Sequence, residues 1–213
     1  MAHKAFEHYN KHQREAVPLS HYLDRYRLID PEEASRRCAL PFQDGAFSLR
    51  FLGESCRVAF PEYGTEGGRF PLGYAENILI LRYLCEGTYA ESRGKQLSYN
   101  EIPWGDFYYR NFEGRCIKRL AFSFGGDIPG FKRIMEEPGR FRAEPLNRGD
   151  AAYRFEFLSG LFMSLIIWEG DEEFPPSSQI LFDDNFVSAF TAEDAAVAAE
   201  VTISRLKALR RSA

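Results

Sequence analysis

The stretch that decides the fold is Tyr153-Arg154-Phe155-Glu156-Phe157-Leu158-Ser159-Gly160-Leu161-Phe162-Met163-Ser164-Leu165-Ile166-Ile167-Trp168. Its first half alternates, with Arg154 and Glu156 set between Tyr153, Phe155 and Phe157. A period of two puts the aromatics on one face of a half-buried strand. Ser159-Gly160 is a turn signal. The second half is a nearly continuous apolar run, which suits a strand covered on both faces. The two halves predict an antiparallel hairpin whose second strand is central in a sheet.

Working upstream, Phe47, Leu49 and Phe51 alternate with Ser48 and Arg50, and Gly53-Glu54-Ser55 turns the chain. Cys56, Val58 and Phe60 alternate again, so Ala46–Leu52 and Cys56–Phe60 read as a second hairpin. Pro61 to Gly73 carries two prolines and four glycines and reads as a loop. Downstream, Gln179 to Phe182 is a fifth short strand.

The remaining signals are helical. Asp30-Pro31-Glu32-Glu33 combines a capping acid, a first-turn proline and two acids at the positive end of the dipole. Glu76 to Glu86 is dense in large apolar residues and long enough for a buried helix. Ser98 and Glu101 have capping-box spacing, but Pro103 follows closely. Asp106 reads as the cap of a helix ending at Gly125-Gly126, with Phe107, Phe112, Ile117 and Leu120 as its apolar contacts. Asp127-Ile128-Pro129 starts a short helix to about Glu137. Thr191-Ala192-Glu193-Asp194 opens the last one, whose stripe is Ala196, Ala199, Ile203 and Leu206. At the N-terminus, Ala5 to Ala16 reads as a polar helix ended by Pro18, and Ser20 to Tyr26 as a second. The expected fold is α+β: an antiparallel sheet of about five strands, built from two hairpins plus one strand and packed with helices. A helical N-terminal arm over 1–27 precedes a single α+β domain over 28–213.

Composition limits the function classes. Apolar residues are 45% and aromatic residues 15% of the 213, enough for a real core. The net charge of −4 calls for no nucleic acid. The sequence has no apolar run of membrane-spanning length and no secretory apolar block, so no membrane association and a cytoplasmic location are expected. Cys38, Cys56, Cys85 and Cys116 form no Cys-x-x-Cys pair and read as buried thiols. His3, His8, His12 and His21 are the four histidines. His8 and His12 share a helical face but read as part of a solvated terminal helix. Histidine-based catalysis in the main body would need the arm to fold back.

Charge is unevenly spread. Phe155 to Ser204 holds no Lys, Arg or His and ten acids, whereas Arg110 to Arg148 holds nine bases against five acids. Four acids, Glu169, Asp171, Glu172 and Glu173, fall between Trp168 and the stiff Phe174-Pro175-Pro176. Clustered carboxylates repel, and a hard divalent ion would relieve them. Asp183 and Asp184, after the next strand, could close the same site, although the spacing is not that of a calcium loop. Two structural readings compete: a solvated turn with Trp168 and Phe174 packed inside, or a turn salt-bridged by arginines of the 110–148 stretch. Gly64-Thr65-Glu66-Gly67-Gly68 has no Lys-Ser/Thr after it and is no phosphate loop. Trp104 with Tyr108-Tyr109 suits either a planar ligand or the core.

The run Trp168 to Ser177, with Ile180-Leu181-Phe182-Asp183 and Glu193-Asp194, resembles an uncharacterised prokaryotic family, domain of unknown function 3786. Ile78 to Leu84, Leu97 to Pro103 and Phe124-Gly125 are similar to it more loosely, and together they cover roughly Phe47 to Leu209. The resemblance implies a soluble prokaryotic protein. Some members are fused to a cysteine-rich iron–sulfur domain, which implies a link to corrinoid, one-carbon or other anaerobic redox metabolism. This chain lacks that cysteine motif. The family supplies no catalytic residues; Trp168, Asp171, Glu172, Glu173, Phe174 and Asp183 match its most recognisable segment.

The leading functional expectation is a non-catalytic accessory module that binds a protein partner or a small cofactor. Its candidate binding set is Trp168, Glu169, Asp171, Glu172, Glu173, Phe174, Asp183 and Asp184, with no metal ligand and no cofactor assigned. The alternative is an enzyme that uses the paired carboxylates of 169–173 with Asp183 and Asp184, with or without Mg²⁺. A third expectation is a homo-oligomer that pairs the basic and acidic stretches.

Overall fold

The Tyr153–Trp168 hairpin forms, and the sheet grows outward from it. A computed structural model describes residues 18–211. The predicted Ala5–Ala16 helix and His3, His8 and His12 lie outside the described residues. The strands, numbered along the chain, are β1 Phe42–Gln43, β2 Ala46–Phe51, β3 Glu54–Ala59, β4 Gly64–Gly67, β5 Gln96–Ser98, β6 Glu144–Pro145, β7 Ala151–Leu158, β8 Leu161–Trp168 and β9 Ser177–Asp183. They form one antiparallel sheet in the order β4-β3-β2-β7-β8-β9-β5, with β1 on β2 and β6 on β7. All five expected strands are present, and β8 is central. The additional strands are β1, β4, β5 and β6. Three of them have only two or three residues, too short to show a period of two. The stretch read wholly as a loop, Pro61 to Gly73, contains β4, which pairs Cys56–Ala59 of β3 through Gly67–Gly64.

The two hairpins meet narrowly. β2 and β7 share the single register pair Phe51↔Leu158. The Leu52 amide also donates to the Phe157 carbonyl (2.8 Å) and the Ser159 amide to the Arg50 carbonyl (3.0 Å).

The helices are α1 (18–26), α2 Pro31–Cys38, α3 Tyr74–Glu86, α4 Gly105–Phe112, α5 Arg119–Phe124, α6 Ile128–Met135, α7 Phe186–Ala189 and α8 Ala192–Arg211. A π-helical stretch, Glu113–Lys118, joins α4 to α5 in one continuous rod. Helices cover the face on which the alternating aromatics sit. Tyr153 meets Phe131 of α6, Phe157 meets Phe186 of α7, and Phe182 meets Phe112 of α4. α8 starts from a reciprocal cap: the Asp194 amide donates to Thr191 Oγ1 (3.3 Å) and the Thr191 amide to Asp194 Oδ2 (3.0 Å). Its predicted stripe of Ala196, Ala199, Ile203 and Leu206 is buried. From α1, Tyr26 is fully buried and its hydroxyl donates to the Ala59 carbonyl (3.0 Å). Pro18, expected to end a helix, lies within α1.

Register dictates what the other face of the sheet carries. Arg154 and Glu156 of β7, Phe162, Ser164 and Ile166 of β8, Gln179 and Leu181 of β9, and Gln96 and Ser98 of β5 share that side. Two clefts open on it. No described helix is long and apolar enough to cross a membrane.

Candidate functional site

The acidic run forms the β8–β9 connection. Asp171 organises it, because its Oδ1 accepts from the Glu173 amide (2.9 Å) and the Phe174 amide (2.7 Å). The Asp171 amide returns a bond to the Phe174 carbonyl (2.9 Å). The amides of Phe174 and Glu173 hold the Asp171 carboxyl below its ordinary value. The Glu169 amide donates to Asp150 Oδ2 (2.8 Å), which ties the tip to the start of β7. At the far side Pro176 rests on α5: a methyl group at Gly125 would overlap the Pro176 ring, so only glycine allows the approach. Gly125 has ordinary helical angles, so its role here is clearance and not a left-handed cap. Ser178 adds a bond to the Ile117 carbonyl (2.7 Å). The connection is thus held at both ends and across its middle, and its carboxylates face solvent.

The structure separates the predicted set. Trp168, Glu169, Asp171, Glu172, Glu173 and Phe174 stand together at one end of β8 and β9. Asp183 and Asp184 stand at the other end of β9, roughly 20 Å away. An antiparallel connection puts the end of one strand beside the start of the next, so Asp183 could not have closed that site. Among the described residues no cluster of three His, Cys, Asp or Glu side chains has metal-holding geometry. Asp184 is a tie: it accepts from Ser92 Oγ (2.7 Å) and the Arg93 amide, which lowers its carboxyl below the ordinary value. Asp183 is buried on the open sheet face, where Arg154 Nη2 reaches its Oδ2 at 2.6 Å. The guanidinium lies 3.8 Å from the Phe162 ring centre.

The turn is solvated, as the first structural reading expects, but its aromatics are not packed and the second reading fails. Phe174 is 66% and Trp168 38% exposed, so they are not packed inside. Among the described residues no arginine of the 110–148 stretch pairs with residues 169–173. Arg115 and Arg119 go to Glu200, Arg140 goes to Glu137, and Lys118 goes to Glu113.

The rod beside the loop is also unusually apolar on its outside. Trp104 (74%), Phe107 (79%), Tyr108 and Phe122 (70%) are exposed. With Tyr109, Trp168 and Phe174 they make up every exposed large hydrophobic among the described residues except Leu28. The cap of α4 is Trp104 and not Asp106; its backbone is left-handed at φ 68°, a costly geometry for a bulky residue, and the indole is turned outward. Phe107, expected in the core, is therefore outside, while Phe112 stacks on Tyr99 at 3.9 Å. Sequence reasoning misses Phe122, although its spacing of four from exposed Lys118 places it on the same helical face.

The four thiols are free. Burial raises Cys38 and Cys85 to about 11 and Cys116 to about 12, and raises Cys56 as well. Cys38, Cys56 and Cys116 are buried as expected, whereas Cys85 is only partly buried.

No curated protein and no solved structure matches the chain. A family model described as Domain of unknown function (DUF3786) matches residues 30–205, which includes β1–β9 and most of α8. The acidic connection, Asp183 and the core that positions them all fall inside that span, and the chain belongs to this family.

Proposed function

We propose that the chain is a non-catalytic accessory module that docks a partner protein on the surface formed by the 168–174 connection and the outer side of the 104–124 rod. One observation carries this reading: nearly all of the exposed large apolar side chains stand on the rod or on the connection, with Phe122 near the end where Gly125 meets Pro176, Trp104, Phe107 and Tyr108 toward the far end of the rod, and the connection also bearing four solvent-facing carboxylates. Monomeric proteins rarely leave such aromatic surface bare. Aromatic residues in a fixed frame are the usual anchors of an interface, and a charged rim steers the encounter. The charge selects the occupant: a different protein with apolar pockets bordered by Lys and Arg. The resemblance noted in the sequence implies a link to anaerobic redox or one-carbon metabolism, and such a partner would be sought there.

The test compares partner retention from the native host at low and high salt. One variant carries Glu169→Gln, Glu172→Gln and Glu173→Gln, which leaves the Asp171 turn intact. The other carries Phe122→Ser and Phe174→Ser. The expected result is one basic partner, retained by the parent protein, lost with the aromatic variant, and made insensitive to salt in the glutamine variant. Retention unchanged in both folded variants overturns the reading. Self-association of the pure protein that either variant abolishes also overturns it, in favour of a second copy.

A further inference from the structure

A cavity of about 850 Å³ opens on the uncovered sheet face, over β2, β3, β4 and the β7–β8 turn. It lies at the opposite end of β8 from the acidic connection. The polar side chains around it are Ser48, Arg50, Ser55, Arg57, Glu66 and Ser159. Register explains their meeting. Arg57 stands opposite Ser48 on one side and Glu66 on the other, and Arg50 stands opposite Ser55. The two arginines are therefore diagonal neighbours on one face, about 7–8 Å apart, where like charges oppose each other.

Arg50 is already aimed. Its Nε and Nη2 bond the two Glu156 oxygens at 2.5 and 2.7 Å, and the Gly160 amide donates to the same carboxylate at 2.8 Å. Glu156 is 7% exposed. One edge of the guanidinium is thus spent on a buried acid, and the end bearing Nη1 is left for the cavity. Arg57 forms no ion pair within 4.0 Å among the described residues, although Glu66 faces it in register. The Ser159 hydroxyl accepts from the Arg50 amide (2.8 Å) and keeps its own hydrogen to donate. Ser48 and Ser55 are exposed beside it. All of these groups but Glu66 can donate, all but Ser159 are mounted on strands, and Leu40, Pro41 and Tyr89 form apolar walls. The volume is that of a small-molecule pocket.

We infer that this cavity binds a small molecule through an oxyanion head, carboxylate or phosphate, held by Arg57 and the free end of Arg50 with the serine hydroxyls. Arginine pairs and hydroxyls match both oxyanions geometrically. Glu156 is a positioning residue, since it reaches a ligand only through Arg50. The site is independent of the partner surface proposed above.

The test is a titration of the full-length protein followed by amide resonance shifts. Inorganic phosphate is the probe in one arm and acetate in the other. The expected result is a saturable shift at millimolar anion, confined to Ser48, Arg50, Ser55, Arg57 and Ser159, in one arm or both. The responding arm identifies the head group. Arg57→Gln removes an exposed side chain outside the Glu156 network, so the fold should survive, and binding should weaken about tenfold. Arg148→Gln, in the other open-face cleft, should leave binding unchanged. Absence of saturable shifts in both arms overturns the inference, and so does equal binding by Arg57→Gln and the parent protein.

Discussion

Glu156 and Asp171 belong to the same acidic block, yet their surroundings give them different work. Asp171 is ionised by its own turn. Glu156 is buried, which opposes ionisation, but the Arg50 fork and the Gly160 amide outweigh burial and hold its carboxyl below the ordinary value of 4.5. A depressed carboxyl means that the unfolded chain takes up the proton first. The contribution to stability is therefore full above that ordinary value and is lost as pH falls through the lower, folded one. Urea midpoints measured against pH should show this. Glu156→Gln is expected to cost about 1 kcal/mol at neutral pH, discounted because Arg50 is half solvated, and to lose less than the parent on acidification. A pH profile parallel to the parent's would show that the fork contributes nothing.

At the scale of elements, α8 depends on its first turn. Thr191 and Asp194 close a cap, and Asp194 Oδ1 also receives Arg82 Nη1 at 2.8 Å, with the Asp194 side chain buried. Arg82 Nε has no hydrogen-bond partner of its own. Thr191→Ala should cost about 1 kcal/mol, the usual worth of a cap. Asp194→Ala should cost more, about 2 kcal/mol, because it also removes the nearer of the two carboxylates beside Arg82, leaving Glu86 at 4.0 Å. Chemical denaturation of the two variants checks the order; equal losses would mean that the ion pair is inert. The start of α8 is legible in Thr191-x-x-Asp194, as the main strands are legible in their alternation. β4 is not, since Gly64-Thr65-Glu66-Gly67 has no apolar period and is fixed by its partner strand. The cap of α4 defeats local reasoning because Asp106 is a better capping residue than Trp104 by chemistry alone. The clearance that Gly125 gives to Pro176 is a tertiary contact across 51 positions of the chain, and it leaves no local mark in the sequence.

Over the whole molecule, four of the ten acids of the acidic block are paired with arginines from elsewhere in the chain. Glu156, Asp183, Asp194 and Glu200 of the acidic block pair with Arg50, Arg154, Arg82 and Arg115 from elsewhere. The carboxylates at the β8–β9 tip face water instead, as does Glu193. The cavity arginines are not conspicuous, because Arg50 and Arg57 look like ordinary outward residues of a half-buried hairpin until register sets them side by side. The thiols offer a check on the core as a whole. With three of them raised to about 11 or 12 by burial, native protein at neutral pH should react slowly with a disulfide reagent, and all four cysteines should react at once in urea. A single fast thiol in the native protein would contradict the packing described. The narrow joint at Phe51 and Leu158 bears on how the chain assembles. Each three-strand meander closes through short local turns, whereas the joint links positions half a chain apart, and distant contacts are the slow ones to form. The two meanders should therefore appear early in refolding, with their union as the final step and the first to give way on unfolding.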